Sequence, residues 1–384
     1  MIEAASRLAL VAERELEALV GVSSPSGDVQ GAEECVALAA AFLPPEAEVE
    51  RLECSTPAHA ADLCGRLQGS GSKRVLLLGH LDTVVAHEAH RPLERDGDRL
   101  VGSGAVDMKG GVALALGLMR ELAARPGLYR EAAVLLVNDE EWRTAEFAHA
   151  ALFGHFDACL CFEAGERTET GEEAVIVKRK AAATLRVDAH GRPSHSGSAP
   201  HKGRNALLAL AAAAERVAAA SDPAGLERLT AVPTIMHSGD AFNVVPAAGE
   251  LVCDLRADRL EAFDEVLAAL PAEHAGVRLD ALLVRAWPGM DSRAATAGLV
   301  AAATDTLGRP IVAAERGGAS DASHMAAAGI DLTLDGLGPR GGGAHTPQEW
   351  VSTESLRTRA ELALAVMAAL LELPAGRMSG AGGG

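Results

Sequence analysis

Five residues of the chain belong to the types that bind divalent metal ions in enzymes, and each is in a short segment that is polar or rich in glycine. They are His80, Asp107, Glu141, Glu163 and His345. Two imidazoles and three carboxylates can hold two divalent ions about 3.5–4 Å apart, with one carboxylate bridging them. Each residue alone has a simpler interpretation, because a histidine at a strand end is usually a surface residue and a Glu-Glu pair is usually a solvated turn. The five together favour a dinuclear metal site.

The predicted strands explain how residues so distant in sequence would meet. Short runs of Val, Leu and Ala predict buried strands at Arg74–Leu78, Ala132–Val137, Ala158–Phe162 and Ile330–Leu334. The first three runs lead directly into His80, the pair Glu140-Glu141, and Glu163. Open α/β sheets bind their ligands at the carboxyl ends of the strands, so we expect these side chains to converge.

Two glycine-rich loops and one further carboxylate complete the candidate site. Asp107 lies in a glycine-rich turn just before a predicted helix, and His345 follows three glycines. In extended backbone His80 and Asp82 point to the same side. The Asp82 carboxylate can therefore accept the imidazole N–H and turn the other ring nitrogen of His80 towards a metal.

The remaining sequence predicts an α/β protein with an inserted module. Helical stretches at Ala32–Phe42, Gly111–Leu122 and Leu356–Leu371 alternate with the buried strands. Between about Val175 and Val284 the pattern changes to alternating strands, Ala181–Ala189 and Glu250–Asp258, with helix-like segments at Asn205–Ala220 and Leu260–Leu270. We expect a catalytic metal-binding domain at 1–178 and 287–384, and an inserted α+β domain at 179–286.

Composition excludes several classes of function. The chain has 384 residues, 48% of them hydrophobic and 23% charged, which is a globular composition. A formal net charge of −18 disfavours nucleic acid or an anionic membrane as a partner. Six cysteines in a chain of this length do not form a disulfide framework. No signal peptide is recognised at the N-terminus, so we expect a cytoplasmic protein, and we expect the glycine-rich tail 378–384 to be disordered.

In its motifs the sequence resembles the M20 family of metallopeptidases, and most closely its glutamate carboxypeptidase branch, which is related to acetylornithine deacetylase and succinyl-diaminopimelate desuccinylase. The matching motifs occur in the same order over nearly the whole chain: Gly79-His80-Leu81-Asp82-Thr83-Val84, Gly104-Ala-Val-Asp107-Met-Lys-Gly-Gly, Asp139-Glu140-Glu141, Phe162-Glu163, Ser194-His195-Ser-Gly, Asn243-Val-Val-Pro246, Gly317-Gly-Ala-Ser-Asp321 and His345.

The resemblance implies a role for each metal-site residue. Asp107 would bridge two ions, most often zinc, with cobalt or manganese as alternatives. His80 and Glu163 would complete one metal site, and Glu141 and His345 would complete the other. It also implies a cis peptide bond between Asp107 and Met108.

The two remaining acidic residues of the site would act without being metal ligands. The resemblance implies that Asp82 orients His80 and that Glu140 is the general base. Glu141 would be committed to a cation, whereas Glu140 would be free to take a proton from water and later deliver it to the leaving amine.

The resemblance also gives the inserted domain a dimerisation or lid role, with His195 stabilising the tetrahedral oxyanion, either in its own chain or across a homodimer. From sequence alone His195 has a second interpretation as a turn histidine packed on Pro193 or Pro200. Asn243 and Arg256 would hold the carboxylate of the substrate, and Gly318 would offer a backbone N–H. Arg256 has the alternative of an ordinary surface ion pair with Asp254.

These inferences together predict a hydrolase that cleaves an amide bond next to a free carboxylate in a small peptide, carboxypeptidase- or dipeptidase-like. The alternatives are a deacylase of N-acyl amino acids, a non-catalytic binding homologue and a dinuclear phosphoesterase. Trp287 precedes Pro288 where glutamate carboxypeptidase has an arginine, which argues against specificity for glutamate.

Overall fold

The computed structural model describes residues 2–372, so the expected disorder of the tail from 378 to 384 lies outside the described part. The α-helices within that part are α1 (Ile2–Val20), α2 (Val29–Phe42), α3 (Gly110–Ala123), α4 (Ala150–Phe153), α5 (Ala206–Ala219), α6 (Ala262–Ala268), α7 (Arg293–Leu307), α8 (Ala322–Ala327) and α9 (Thr353–Glu372).

The strands are β1 (Glu48–Leu52), β2 (Asp62–Gln68), β3 (Arg74–His80), β4 (Glu94–Asp96), β5 (Arg99–Val101), β6 (Glu131–Val137), β7 (Ala158–Cys161), β8 (Glu166–Arg167), β9 (Glu173–Arg179), β10 (Ala181–His190), β11 (Thr230–Ser238), β12 (Ala248–Ala257), β13 (Glu273–His274), β14 (Val277–Trp287), β15 (Met290–Asp291), β16 (Ile311–Arg316), β17 (Thr333–Leu334), β18 (Gly341–Gly342) and β19 (Trp350–Ser352).

The chain divides into two compact units. Of the described residues, the first unit contains 2–178, Asp291–Glu315 and 320–372. The second unit contains Arg179–Met290 and the short segment Arg316–Ala319. The expected inserted domain, 179–286, corresponds to most of this second unit.

The first unit is built on a mixed six-stranded sheet in the order β1-β2-β6-β3-β7-β17. β3 pairs in parallel with β6 on one side and with β7 on the other, while β1 and β2 run antiparallel at one edge. Continuous apolar runs such as Val75–Leu78 are fully buried, as expected of strands that are covered on both faces. The predicted strands and the helices α2, α3 and α9 are present within a few residues of their expected bounds. The predicted strand Ile330–Leu334 is shorter, since only Thr333 and Leu334 pair with β7.

Helix α3 lies against the end of β7 because its first turn has no side chain in the way. Nearly all of its residues are buried, which fits a helix that is apolar on every side. A Cβ added to Gly111 would lie 1.8 Å from the carbonyl oxygen of Phe162, so only glycine permits this approach. The turn before the helix carries Asp107, and the Asp107–Met108 peptide bond is cis, as the family resemblance implied. Because Gly111 lets the start of α3 approach Phe162, the turn that carries Asp107 lies close to Glu163, the next residue after Phe162.

The second unit is an antiparallel sheet in the order β11-β12-β10-β14-β13. Alternate residues of β10 and β12 are buried in a core with helices α5 and α6, which explains their alternating sequence pattern. Asn205 caps α5 by accepting the Leu208 N–H at 3.3 Å. β11 and β14 were not expected from the sequence.

Two further features concern the cysteines and the helices. All six cysteines are buried. Among residues 2–372, none of the helices combines the length and the apolar character needed to span a bilayer.

Candidate metal centre

The ends of three neighbouring strands bring the predicted metal-binding side chains together in the first unit. His80 is the last residue of β3 and pairs with Val137, the last residue of β6. Glu140 and Glu141 follow β6, and Glu163 follows β7. Because these strands are parallel, their carboxyl ends lie at one edge of the sheet, as the sequence predicted.

His80 is held so that one ring nitrogen faces the carboxylates. Its imidazole is 1% exposed, and Nδ1 lies 2.9 Å from the main-chain oxygen of Asp82. A carbonyl oxygen only accepts, so Nδ1 carries the proton and Nε2 presents its lone pair in the neutral ring. Nε2 lies 3.2 Å from Asp107 Oδ1 and 3.8 Å from Glu163 Oε1.

His345 forms a second group with the other oxygen of Asp107. Its Nε2 lies 3.1 Å from Asp107 Oδ2 and 3.3 Å from Glu141 Oε2. His345 has a left-handed backbone with φ of +65°, a strained conformation that is typical of functional sites for residues other than glycine. Asp107 therefore contributes one carboxylate oxygen to each group.

The donor atoms fit divalent cations. The sets His80–Asp107–Glu163 and Asp107–Glu141–His345 each have one donor atom per residue within 4.8 Å of the others. Ligand atoms about 2.0–2.2 Å from a tetrahedral zinc ion lie about 3.3–3.6 Å apart, close to the spacings observed here. A third set, His80–Glu140–Glu141, meets the same distance criterion. Imidazole and carboxylate donors suit zinc, and also cobalt and manganese.

The electrostatics of the site also favour bound cations. Burial raises the pKa of Glu140 well above its ordinary value, and burial likewise raises the pKa of Glu141. Hydrogen bonds to Asp107 and Glu141 raise the pKa of His345 to about 10. Burial opposes ionisation of Asp107, but its contacts with His345 and His80 hold its pKa below the usual range. Carboxylates crowded in a buried site repel one another, and cations bound between them relieve that repulsion.

Asp82 contacts more of the site than the sequence indicated. Its Oδ1 lies 3.4 Å from His80 Nδ1, whereas its main-chain oxygen makes the shorter contact. The two carboxylate oxygens accept the backbone N–H groups of Glu140 at 3.1 Å and Glu141 at 3.0 Å. Asp82 thus supports both the ring of His80 and the loop that follows β6.

A buried ion-pair network behind Glu140 was missed by sequence reasoning. Arg143 is 2% exposed, and its Nη2 lies 2.8 Å from Asp139 Oδ1 and 2.8 Å from Asp321 Oδ2. The other oxygen of Asp139 accepts the Thr56 hydroxyl at 2.7 Å and the Thr56 N–H at 2.9 Å. The presence of an arginine after the Asp-Glu-Glu motif was the available signal, but it did not identify the partner 178 residues away.

In the second unit, His195 and Asn243 lie on neighbouring backbone segments. His195 forms an isolated β-bridge with Val244, and the Ser196 N–H donates to the Asn243 main-chain oxygen at 3.0 Å. The His195 ring is exposed, and its Nδ1 accepts the N–H groups of Gly197 at 3.1 Å and Ser198 at 3.2 Å. A nitrogen that accepts cannot carry the proton, so the neutral ring bears it on Nε2.

The other two predicted substrate-binding residues lie elsewhere in this unit. Arg256 on β12 is partly exposed and pairs with Asp254, with Nη2 3.0 Å from Oδ1, which is the ion pair considered as the simpler alternative. Gly318 is exposed, and its carbonyl oxygen accepts a hydrogen bond from Arg179 at 2.9 Å.

Comparison of the sequence with known proteins identifies the family of this chain. Residues 76–369 match the model of peptidase family M20/M25/M40. The chain is 30% identical to carboxypeptidase G2 of Pseudomonas sp. (strain RS-16), over 95% of this chain and 89% of that protein. It is 29% identical to succinyl-diaminopimelate desuccinylase of Halorhodospira halophila, over 56% of this chain and 59% of that one.

Solved structures agree on the fold. An M20 family metallo-carboxypeptidase, Sso-CP2 from Sulfolobus solfataricus, superposes with a TM-score of 0.73 at 15% identity, covering 94% of this chain and 99% of its own. The mixed α/β fold therefore matches that of M20 peptidases. This chain belongs to peptidase family M20/M25/M40 and is a hydrolase of amide bonds.

Proposed function

We propose that the protein is a dinuclear zinc hydrolase that cleaves the amide bond next to a free carboxylate in small peptides, as a carboxypeptidase or dipeptidase does. The observation that carries the proposal is the pair of three-residue donor sets that share Asp107. Cobalt or manganese would satisfy the same donors.

Five residues would hold the ions. His80, Asp107 and Glu163 would bind one of them, and Asp107, Glu141 and His345 would bind the other. Two ions held there would lower the pKa of a bound water and polarise the scissile carbonyl group.

Glu140 would act as the general base. Its carboxylate is held near the donor sets through the backbone hydrogen bond to Asp82, and burial raises its proton affinity. A carboxylate of raised pKa can take a proton from the attacking water and later donate it to the nitrogen of the leaving amine. In the competing assignment Glu140 would be a ligand and Glu141 the base. The third donor set supports it in part, because Glu140 has a donor atom near those of His80 and Glu141.

His195 would donate a hydrogen bond to the oxyanion of the tetrahedral intermediate. The two backbone N–H groups at Nδ1 support this role, because they leave the proton of the neutral ring on Nε2, where it can be donated. Asn243, held beside His195, would contact the substrate carboxylate or the developing oxyanion.

The second unit would act as a dimerisation or lid domain, and His195 would act in the site of a partner chain in a homodimer. The position of Arg256 supports sharing between chains. In the β10–β12 ladder Arg256 pairs with Ala182 at one end, and Ala248 pairs with His190 at the other. Val244, which forms a bridge with His195, lies beyond Ala248 at that second end. Eight residues of strand separate these ends by roughly 25 Å, whereas a dipeptide extends about 7 Å. One chain's His195 and Arg256 therefore cannot both contact one small substrate, but residues from two chains can.

The substrate would carry a free carboxylate, which Arg256 and the backbone of Gly318 would bind. Trp287 occupies the position before Pro288 where an arginine would hold an acidic side chain of the substrate, so a substrate with a glutamate side chain is disfavoured. A deacylase of N-acyl amino acids is the second candidate, because the relatives of this chain include succinyl-diaminopimelate desuccinylases. A non-catalytic homologue is disfavoured because the five ligands, Glu140 and His195 are all present.

The test is hydrolysis of a matched substrate panel by protein that has been stripped with a chelator and reloaded with Zn²⁺, Co²⁺ or Mn²⁺. The panel contains dipeptides, the same dipeptides with amidated C-termini, and N-acetyl and N-succinyl amino acids. The proposal expects cleavage of free dipeptides and little cleavage of their amides. Preferential cleavage of N-acyl amino acids would establish the deacylase instead, and no cleavage by any loaded form would contradict both.

A further inference from the structure

The side chain of Glu349 binds the loop that carries Asp107. Its carboxylate accepts three backbone N–H groups, from Gly104 at 2.7 Å, Val106 at 2.7 Å and Asp107 at 2.8 Å. Glu349 is 2% exposed, so water does not compete effectively for these bonds. Three hydrogen bonds to one buried carboxyl group fix the backbone of this loop.

The main chain of Glu349 joins the same loop to the turn that carries His345. Its carbonyl oxygen accepts the Gly102 N–H at 2.8 Å, and its own N–H donates to Thr346 at 3.2 Å. Glu349 therefore contacts the residue after His345 and the backbone of Asp107 at once. The side chains of His345 and Asp107 themselves meet, with His345 Nε2 3.1 Å from Asp107 Oδ2.

We propose that Glu349 is a positioning residue that fixes Asp107 relative to His345 for the ion that both would bind. The inference rests on the proposed metal site. The binding of the ion that Asp107, Glu141 and His345 would hold depends directly on the distance between Asp107 and His345. The other ion takes two of its ligands, His80 and Glu163, from the ends of β3 and β7, and so depends on it less.

Replacing Glu349 by glutamine isolates this role with little change in volume. A glutamine amide has one accepting oxygen, and its NH2 group donates. In Glu349→Gln at least one of the three N–H groups would therefore face another donor, and the loop would shift. Loss of such support for a metal ligand typically weakens metal binding by about 10–100-fold.

Asp157→Asn is the matched control. The Asp157 carboxylate also accepts a backbone N–H, from Arg74 at 2.7 Å, but Arg74 begins β3 and His80 ends it. Asp157→Asn thus removes a comparable carboxylate at the start of β3, at the opposite end of that strand from His80.

The experiment titrates metal-free protein with Co²⁺ against a competing chelator and follows the visible absorption of the bound ions. His345→Ala identifies the absorption band of the ion that depends on His345. We expect Glu349→Gln to weaken the binding of that ion by about 10–100-fold and the binding of the other ion by less. Asp157→Asn should bind both ions like the wild type. Excess metal should restore activity to Glu349→Gln, which it would not do for a misfolded protein.

Unchanged binding of both ions by Glu349→Gln, or equal losses in Glu349→Gln and Asp157→Asn, would overturn the inference. If Glu349→Gln does not fold, Glu349→Asp takes its place with the same expectation for the same ion, and wild-type binding by Glu349→Asp would overturn it. A wild-type protein that binds no Co²⁺ would instead refute the proposed metal site.

Discussion

Asp82 supports Glu140 through the backbone, since its Oδ1 accepts the Glu140 N–H at 3.1 Å. Its second oxygen accepts the next N–H along the chain, that of Glu141, at 3.0 Å. One carboxylate therefore fixes the backbone of both the proposed base and a proposed metal ligand. The His80 ring is held mainly by the main-chain oxygen of Asp82, so this carboxylate matters most for the loop after β6.

Replacing Asp82 by asparagine tests this support. The amide can accept only one of the two N–H groups, so Glu140 and Glu141 should lose their fixed spacing. We expect kcat to fall by about 10–100-fold at saturating metal, with a smaller change in KM. The measurement is the steady-state kinetics of Asp82→Asn, with Asp157→Asn as the control variant. A variant with wild-type kcat would show that the Asp82 carboxylate does not position Glu140.

The role of Glu140 is separable from metal binding. Glu140→Gln keeps the shape of the side chain but removes its capacity to accept a proton. We expect turnover to fall by at least the roughly 10²–10⁴-fold typical of a lost acid–base group, with metal content unchanged. Kinetics and elemental analysis of the same preparation give both values. Loss of metal along with activity would mean that Glu140 is the ligand and Glu141 the base.

A shared active site makes a prediction about mixed dimers. His195→Ala should lower turnover by about 10²–10³-fold, as expected for one oxyanion donor, and alter substrate affinity far less. When inactive Glu140→Gln chains exchange subunits with inactive His195→Ala chains, some mixed dimers would contain one site with both residues intact. We therefore expect partial recovery of activity. No recovery after verified exchange, or a fully active monomer in sedimentation, would refute the sharing of His195.

We expect His324 to make the metal-free protein less stable in mild acid. Burial lowers its pKa to about 4, helped by Arg143 and opposed by Asp321. Because the unfolded chain binds this proton more readily, the free energy of unfolding should fall as the pH drops from about 6.5 towards 4. The loss attributable to His324 should reach about 2 kcal/mol at pH 5.

Urea unfolding at pH 7.5 and pH 5 tests this effect in the wild type and in His324→Phe. Phenylalanine preserves the stacking on Phe147, whose ring centroid lies 5.0 Å from that of His324. We expect the variant to lose less stability between the two pH values. Equal losses would mean that His324 does not titrate in this range.

The convergence of the candidate metal-binding residues was predictable because each follows a recognisable element. His80 and Glu163 come directly after apolar runs, and parallel strands necessarily bring their carboxyl ends to one edge. Asp107 and His345 were marked by glycine-rich loops and by the resemblance to a known family. These signals are local in sequence, and the sheet converts them into proximity.

The supporting contacts were not predictable, because they join residues far apart with no local pattern. The hydrogen bonds that Glu349 accepts from the Asp107 loop, and those that Arg143 donates to Asp321, exist only once the chain has folded. In the second unit, β11 was missed because Pro233 interrupts it, which is tolerated at the edge of a sheet. β14 was missed because apolar Leu282 lies on its exposed face and disguises the alternation.

The number of divalent ions bound per chain tests the central claim most directly. Elemental analysis of protein saturated with Zn²⁺ and freed of excess ions should give two ions per chain. His345→Ala should retain one ion, and Asp107→Ala should lose the tight binding of both, because Asp107 is the residue common to the two donor sets. One tightly held ion in the fully active wild type, or two ions retained by Asp107→Ala, would contradict a dinuclear site bridged by Asp107.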